Sequence, residues 1–566
     1  ITIYEGRLLP EIFWDQMIHS DAGPNIVRSY PVKKEGAGFK AEIVNLISGK
    51  GDSWFRPSDV CVAPDGSLFV ADWYDPGVGG HQMGDQERGR IFRIAPKGHS
   101  FSVPKMDIST PEGAVEAMRS ANMATRFLGW TAVKNFGLLA ENNLLEVLNS
   151  ENQRHRARAL WLLSNIKDKS TKYIALAIRD KSEEIRMTGI RMAQQLDSAS
   201  LSDYLEILAN DISPQVRREV ALAVRFLNSP KAAEIWANVA VQYPLGDRWY
   251  LEALGIGSDP RAEEFFSAYL KRIKGKFDSE ESKDIIWRTR AKSCIPLLKK
   301  IILDPSQNST TLLRYFRAFD FHKDPLKEKV FIEMLKVSHK EKELITKLVL
   351  NHIDPSTVKK SAALQKIILN SLAKVKGEIQ FIAWIQKFDI QGQESELQRL
   401  MFEETNSAIG IDATRWLRKN KDISYFQNLL NSKNELMVSQ TLTAMKNLGD
   451  IESWNLIKEI VLNENNSISI RRKGLQVLGT GWEQEVRLME MLKQGDIPKK
   501  LENTAATILI SANRGKIRKE AATYLKLPEG AILPSINQLV AANGDAIKGK
   551  AIFENYCTSC HQVNGK

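Results

Sequence analysis

Five arginines recur at a nearly constant interval in the first half of this 566-residue chain. Each follows a short polar break and opens an apolar stretch, and successive intervals are 30, 30, 31 and 31 residues: Arg126, Arg156, Arg186, Arg217 and Arg248. A period in this range is typical of stacked helix pairs, because one pair cannot bury its apolar face without a neighbour. We therefore predict an α-solenoid over residues 111–530. We assign its arginines a structural role between adjacent repeats.

The clearest repeat runs from Ser213 to Val224, where Val216 and Val220 predict the buried face of a helix. A short apolar residue before an arginine, with small residues one turn later, resembles the pattern of HEAT repeats. The register is blurred between about 260 and 430, although helical patterning continues. An irregular helical domain is therefore the alternative to a regular solenoid.

Residues 1–98 differ in composition, since they are rich in Gly, Pro, Asp and aromatic side chains. Two apolar runs, 60–63 and 68–71, flank a Pro-Asp-Gly-Ser turn, and an alternating run follows at 90–94. Strand, tight turn, strand, long loop and strand is typical of one blade of a β-propeller. The long loop, 72–85, is dense in Asp, Gly and aromatic residues. We therefore predict a partial β-propeller with a candidate ligand loop at a blade edge.

The segment Cys557-Thr-Ser-Cys560-His561 has the spacing of a c-type haem attachment site. Two thiols three positions apart can each bond to one vinyl group of the same porphyrin, and the next histidine can ligate the iron. The alternatives are a redox dithiol, which should follow a strand in a βαβ unit, and half of a zinc site, which needs more Cys or His nearby. Neither context is present. We predict that Cys557 and Cys560 bind haem c covalently and that His561 is an axial ligand of the haem iron.

The residues ahead of this motif, 543–556, predict a short helix that runs into it. Gly549 and Phe553 stand where class I cytochromes c carry a Gly and an aromatic on their first helix, so the segment resembles that family. The resemblance implies that this pair packs on a C-terminal helix and that a later methionine is the sixth haem ligand. The chain begins in a strand-like run without Met and ends five residues after His561. We therefore expect a fragment that ends within an all-α class I cytochrome c domain.

The cysteine content, the net charge and the lack of long apolar runs limit the classes of function that the chain can have. Cys61 lies in a strand-like run and Cys294 in a helix-like run, and we expect both to be buried. The net charge is +11, but Lys and Arg are spread along the chain. Nucleic-acid binding is therefore not favoured, whereas docking of an acidic redox partner is compatible with the charge. Since no apolar run reaches about 18 residues, we predict no membrane span.

The predicted order is a partial β-propeller (1–98), a linker (99–110), an α-solenoid of HEAT-like repeats (111–530) and the start of a cytochrome c domain (536–566). This order resembles large multidomain dehydrogenase-type proteins of planctomycetes, verrucomicrobia and bacteroidetes. Those proteins carry a sorbosone/glucose-dehydrogenase-like propeller, HEAT-like repeats and a C-terminal haem domain. Besides the haem motif, the resemblance rests on segments 54–60, 64–66, 71–76, 79–81 and 89–98.

Sugar dehydrogenases of this propeller class use pyrroloquinoline quinone and calcium. The resemblance implies that Arg56 reaches the quinone, although Ser58 stands where a second basic residue is expected. An ion pair at a blade edge is the alternative for Arg56. His81 is a catalytic candidate, with loop structuring as its alternative. Three carboxylates could supply oxygens to calcium or structure the loop through Asx-type hydrogen bonds: Asp72, Asp75 and Asp85.

These features together predict a c-type haem electron-transfer protein. The propeller would oxidise a sugar or an alcohol, and the haem would pass the electrons to a redox partner protein. The alternative is a non-enzymatic module, in which propeller and solenoid bind a glycan or a protein while the haem relays electrons. Because c-type haem is attached outside the energy-conserving membrane, we expect a periplasmic or otherwise extracytoplasmic location in a bacterium.

Overall fold

The computed structural model describes residues 1–77, 87–525 and 534–556. Contacts within the chain divide it into two compact units, residues 1–345 and 346–566. This division falls inside the predicted α-solenoid. The predicted boundaries of the propeller, the linker and the cytochrome c domain are not tested by it and stay predictions.

Unit 1 opens with a small region of antiparallel sheets. Its strands are β1 (Thr2–Ile3), β2 (Met17–Asp21), β3 (Ile26–Tyr30), β4 (Val32–Glu35), β5 (Gly38–Ala41), β6 (Val44–Ser48), β7 (Pro57–Val62), β8 (Leu68–Asp72) and β9 (Arg90–Ile94). They form a four-stranded sheet in the order β1-β2-β3-β6, a β4-β5 hairpin and a three-stranded sheet in the order β7-β8-β9. The predicted succession of strand, turn, strand, loop and strand is present as β7, β8 and β9. That these sheets belong to a propeller stays a prediction.

The β7-β8 pair is set by alternating apolar side chains. Val60 pairs with Val70, Val62 pairs with Leu68, and all four are buried. Cys61 lies between Val60 and Val62 and is exposed, so the expectation that it is buried is wrong. The reason is the period of two along a strand, which turns every second side chain away from the core.

The turn between β7 and β8 is fastened to β9 through Asp65. Its carboxylate accepts hydrogen bonds from Arg93 Nη2 at 2.9 Å and from the Ser67 N–H at 3.0 Å. Burial by itself raises the pKa of Asp65, but the hydrogen bonds from Ser67 and the contacts with Arg93 outweigh it and lower the pKa to about 2. The Pro-Asp-Gly turn is therefore held by an ionised carboxylate at neutral pH.

Helices in pairs follow the sheets in unit 1. They are α1 (Pro111–Met118), α2 (Met123–Phe136), α3 (Glu141–Val147), α4 (Gln153–Ser164), α5 (Ser170–Ile178), α6 (Glu183–Ala193), α7 (Ser198–Leu208), α8 (Pro214–Ala223), α9 (Ala232–Ala240), α10 (Arg248–Ser258), α11 (Ala262–Arg272), α12 (Glu280–Arg288), α13 (Ile295–Ile302), α14 (Ser309–Ala318) and α15 (Leu326–Met334). Each even-numbered helix from α2 to α12 contacts the next even-numbered helix, and we call this series the even-helix row. Contacts between successive repeats are those of an α-solenoid, as predicted.

Unit 2 continues the helical pattern. Its helices are α17 (Pro355–Lys359), α18 (Ala362–Lys374), α19 (Ile379–Phe388), α20 (Glu394–Glu403), α21 (Ala408–Asn420), α22 (Ile423–Leu430), α23 (Glu435–Met445), α24 (Ile451–Leu462), α25 (Ile468–Leu478), α26 (Trp482–Gln494), α27 (Lys499–Ile510), α28 (Gly515–Ala522), α29 (Ile536–Val540) and α30 (Ala546–Tyr556), after α16 (Lys342–His352) at the division. Helices α17, α19, α21, α23, α25 and α27 contact one another in succession. Among the described residues, none of the helices combines the length and the apolar character needed to cross a membrane.

Three of the five recurring arginines, Arg156, Arg186 and Arg217, bond to the next repeat as the sequence predicts, whereas the ion pair of Arg126 is with Glu5 and that of Arg248 is within its own helix. Arg186 Nε donates to Asp211 Oδ2 at 2.7 Å, and its Nη1 donates to the Asp180 carbonyl at 2.9 Å. One repeat earlier, Arg156 pairs with Asp180. Asp211 also accepts from the Ser213 N–H at 2.8 Å, at the start of α8. We call this repeating arrangement the arginine–aspartate ladder.

The apolar face of the repeats lies where the sequence places it. Val216 and Val220 in α8 are both fully buried. Gly189 in α6 lies against Ile178 and Ala177 of α5, and a β-carbon there would press on them. A small residue one turn after the arginine therefore lets the two helices of a pair approach closely.

A thiol and an imidazole are buried together near the end of unit 1. Cys294 Sγ lies 3.4 Å from His322 Nε2, and the two residues are 0% and 4% exposed. Burial raises the pKa of the Cys294 thiol to about 12. Burial, with the charges of Arg290 and Lys327 adding to it, lowers the pKa of His322 to about 4. Both groups are therefore neutral at pH 7, and Cys294 is buried as expected.

We expect His322 to make the protein sensitive to mild acid. Its pKa of about 4 in the folded protein lies below the ordinary value of 6.5, so the unfolded chain binds the proton first. The free energy of unfolding is therefore highest above pH 6.5, and it should fall by about 3 kcal/mol as the pH falls towards 4. Urea unfolding of the parent and of His322→Asn across this range measures the effect. The variant should show a flatter dependence on pH, and parallel curves would contradict the assignment.

Candidate functional site

Antiparallel pairing brings the predicted ligand residues together at one end of the β7-β8-β9 sheet. The Arg56 N–H donates to Asp72 Oδ1 at 2.7 Å, and the Trp73 N–H donates to the Arg56 carbonyl at 2.9 Å. Arg56 immediately precedes β7, and Asp72 ends β8. The juxtaposition of the arginine with the loop is therefore a consequence of the sheet register.

The carboxylate of Asp72 is occupied by contacts inside the protein. Its Oδ1 accepts from the N–H groups of Arg56 and Tyr74, at 2.7 and 3.0 Å. Its Oδ2 accepts from Arg90 Nε at 2.7 Å, and its side chain is 0% exposed. Asp72 thus connects β7, β9 and the loop after β8. It structures the loop, which is the alternative to calcium binding.

The guanidinium of Arg56 is turned into the protein. The residue is 8% exposed, and its Nη2 and Nη1 donate to the carbonyls of Pro76 at 3.1 Å and Ala22 at 3.4 Å. These partners are main-chain oxygens rather than the carboxylate that the ion-pair alternative requires. In this arrangement, Arg56 holds the loop after β8 against the first sheet.

Asp75 has the same kind of structural role. It is buried, its Oδ1 accepts from the Gly77 N–H at 2.8 Å, and its own N–H donates to the Trp54 carbonyl at 3.0 Å. The preceding residue, Tyr74, has a φ of 52°, in the left-handed region. Two Asx-type hydrogen bonds, from Asp72 and Asp75, therefore shape this tight loop.

Aromatic and cationic side chains cover the outside of this loop. The rings of Trp54 and Tyr74 are 5.6 Å apart, and the Arg90 guanidinium lies 3.9 Å from the Tyr74 ring centre. Arg88 lies 5.8 Å from the Trp54 ring centre, and Trp73 is 47% exposed. Exposed aromatic area beside arginines can bind a flat or polar ligand, so the loop keeps a surface that can make contacts.

Five of the predicted site residues lie outside the described residues: His81, Asp85, Cys557, Cys560 and His561. The structure does describe the helix that immediately precedes the haem motif. Helix α30 ends at Tyr556, directly before Cys557, so the predicted lead-in helix is present. Gly549 lies on this helix, and a β-carbon there would meet no neighbouring atom within 4 Å. Within the described ranges, no group of three or more His, Cys, Asp or Glu side chains is arranged to hold a metal ion.

A cluster of charged residues that was not predicted from the sequence joins the sheets to the helices of unit 1. Glu5 accepts from Arg158 Nη2 at 2.6 and 2.5 Å, and lies 3.1 Å from Arg126 and 3.8 Å from Arg154. We call these four residues the Glu5 cluster. Burial raises the pKa of Glu5, but the three arginines outweigh it and hold that pKa below its usual value. The signal was the basic run 154–158 at the start of α4, which needs a carboxylate partner.

A hairpin that was not predicted from the sequence is inserted among the helices. The hairpin tip, Gly36 to Gly38, joins β4 and β5 and reaches α8 and α10. The Ala37 N–H donates to Asp247 Oδ2 at 2.6 Å, while Arg218 Nη1 donates to the Ala37 carbonyl at 2.5 Å. Gln215 Nε2 donates to the Gly38 carbonyl at 3.0 Å. The even-helix row therefore binds the main chain of a hairpin turn through its side chains.

Two family models match parts of this chain. Residues 1–98 match a model described as a domain of unknown function (DUF7133), and residues 141–225 match the model of HEAT repeats. The second match covers α3 to α8 and identifies those helix pairs as HEAT repeats. No curated protein matches the chain at a significant level.

Structural similarity to solved proteins is broad but distant. A homology model of the full-length AP-3 complex is 12% identical, with 70% of this chain and 95% of that chain covered and a TM-score of 0.22. The Cnd3-Cnd2 condensin subcomplex of S. pombe is 13% identical, with 73% and 62% covered and a TM-score of 0.20. At these scores, neither similarity supports an argument about fold or function.

Proposed function

We propose that this chain is a c-type haem electron-transfer protein. The observation that carries the proposal is the Cys557-Thr-Ser-Cys560-His561 motif. Cys557 and Cys560 would hold the porphyrin through thioethers, and His561 would give a nitrogen to the iron. When bound, the haem supplies a one-electron redox centre. Helix α30 supports the proposal, since it ends one residue before the first thiol.

The proposal extends to an extracytoplasmic oxidoreductase that oxidises a sugar or an alcohol and passes electrons to a redox partner. Its support is the resemblance of residues 1–98 and of the haem motif to multidomain dehydrogenases. Quinone and calcium binding stay predictions, because His81 and Asp85 lie outside the described residues. Arg56, Asp72 and Asp75 do not fit either ligand as they stand, since internal hydrogen bonds hold all three. We therefore derive no catalytic step through them.

A second candidate is a binding module that carries a haem relay. The internal contacts of Arg56 and Asp72 favour it, because these two residues have structural roles and leave no evident catalytic group among the described residues at this end of the sheet. The half-exposed Trp73 and the HEAT repeats offer contact surface instead. Haem reduction on addition of sugars or alcohols to the haem-loaded protein separates the two candidates.

Covalent haem attachment is the decisive test. We expect protein produced with a c-type maturation system to give a band that stains for haem after denaturing electrophoresis. Cys557→Ala and Cys560→Ala should each weaken or abolish the stain, because each removes one thioether. Cys61→Ala is the matched control, since Cys61 is an exposed thiol in β7, and its stain should equal that of the parent. An unstained parent band would overturn the proposal.

A further inference from the structure

A groove on unit 1 continues from the hairpin tip along α8 and α10. Its floor is apolar and is formed by Leu222, Trp249, Ala253 and Ile256, and its volume is about 500 Å³. Trp249 is 55% exposed and Ile256 is 42% exposed. Exposed side chains of this size that line a groove are typical of a surface that binds another molecule. We call this surface the α8–α10 groove.

The hairpin tip shows what kind of molecule this face of the helices holds. At the end of the groove, Arg218 and Gln215 donate to carbonyls of the tip and Asp247 accepts from an N–H group of the tip. A β-carbon at Gly38 would collide with the indole of Trp249, so main chain packs directly on that ring. Side chains of α8 and Asp247, which immediately precedes α10, thus already bind peptide main chain at a turn. Arg218 and Trp249 belong both to this contact and to the open groove.

The charges around the groove favour an acidic ligand. Arg218 and Arg248 line it, and Arg225 donates to the Ile256 carbonyl at 2.6 Å at its far end. The acidic residue in the lining, Glu252, is neutralised by Arg248 at 2.6 Å and Arg288 at 2.8 Å. Arg248 has a side chain that is 68% exposed and can reach a second carboxylate. Electrostatic complementarity of this kind selects partners more than it adds affinity.

The same combination of aromatic and cationic groups extends to the next repeats. The Trp287 ring in α12 lies under two guanidinium groups, of Arg248 at 5.5 Å and of Arg314 at 4.7 Å. Trp287 Nε1 donates to the Arg314 carbonyl at 2.8 Å, which fixes the indole between α12 and α14. A segment longer than the groove therefore finds a further aromatic and basic surface along the even-helix row.

We propose that the α8–α10 groove binds a linear acidic segment of a partner protein, with an aromatic or aliphatic anchor on the apolar floor. Trp249 and Ile256 are two helical turns apart on α10, so anchors about three positions apart in an extended, polyproline-like segment would meet them, while its carboxylates pair with Arg225 and Arg248. A nucleic acid fits less well, because the floor is aliphatic over most of its length and Glu252 lies within it. The proposal is independent of the haem.

Selection from a displayed library of random dodecapeptides tests the proposal. We expect selection on the parent protein, with the bare support used for counter-selection, to enrich peptides that combine several Asp or Glu with Trp, Phe or Leu. The best peptide, labelled with fluorescein, should lose at least tenfold in affinity against Arg248→Glu and against Ile256→Asp. Its affinity should also fall as salt rises.

Trp482→Ala is the matched control, because Trp482 in unit 2 is 58% exposed and also lies under an arginine, Arg514 at 4.5 Å. It should bind the peptide like the parent, and thermal melting should show that all variants are folded. Three results would each overturn the proposal: no enrichment, enrichment without an excess of acidic residues, and equal affinity for the parent and both groove variants. Tighter binding of a single-stranded oligonucleotide than of any selected peptide would also overturn it.

Discussion

Val220→Asp should lower the free energy of unfolding by about 3–5 kcal/mol. Val220 is 0% exposed in α8, which contacts α6 and α10 in the even-helix row. A carboxylate at this place has no partner and must either stay ionised among apolar groups or take up a proton, and both are unfavourable. Because each repeat is stabilised by its neighbours, the loss should spread beyond α8. The midpoint of urea unfolding, followed by circular dichroism, measures it.

Ile212→Asp is the matched control for this substitution. Ile212 stands two residues before α8 and is 91% exposed, so the same change of side chain places the charge in water. Its unfolding should match that of the parent to within about 0.5 kcal/mol. If Val220→Asp also unfolded like the parent, the apolar face of the repeat would be misplaced.

Glu5→Gln should lower the free energy of unfolding by a similar amount, because it removes the counter-charge of buried arginines. The Glu5 side chain is 5% exposed and balances three guanidinium groups, so an amide leaves like charges close together without their counter-charge. Removal of one partner from a buried ion cluster costs about 3–5 kcal/mol. Because the cluster joins the sheets to α2 and α4, residues 1–98 should also become easier to digest with protease. Urea unfolding and limited proteolysis report the two effects.

Glu11→Gln is the control for Glu5→Gln, since Glu11 is an exposed glutamate of the same region. The double variant Glu5→Gln with Arg158→Gln should recover part of the lost stability, because it removes one of the uncompensated charges. An unchanged unfolding midpoint for Glu5→Gln would mean that packing, and not this carboxylate, holds the joint.

Short-range patterns in the sequence were enough to predict the helical repeats and the β7-β8-β9 strands. Two signals in the sequence located the repeats: the regular spacing of the arginines, and the spacing of the two valines in α8. Both are visible because a helix imposes its period on nearby residues and because adjacent repeats bury equivalent positions. The hairpin insertion could not be predicted in this way. Ala37 and Asp247 are 210 residues apart, and Gln215 and Gly38 are 177 apart. Contacts at such separations leave no periodic signal in the sequence.

The candidate site was predicted by residue type but not by partner. Asp72, Asp75 and Arg56 were recognised as residues that can bind ligands, and the sheet register does bring them together. Which atoms they bond depends on the main chain of Trp54, Pro76 and Ala22, whose positions the sequence does not specify. The Asx alternative for Asp72 and Asp75 is confirmed by the bonds to Tyr74 and Gly77. The haem ligands stay a prediction.

The contacts between the sheet region and the first repeats should limit how far those repeats can bend. A stack of helix pairs normally bends because each pair can rotate slightly against the next. Here the sheet region contacts four successive members of the even-helix row, through Arg158 of α4, Glu183 of α6, Arg218 of α8 and Asp247 at the start of α10. Bending of the stack between α4 and α10 would strain these contacts. We therefore expect unit 1 to bend more easily after α10 than before it, so that the α8–α10 groove lies in the part of the stack that changes shape least.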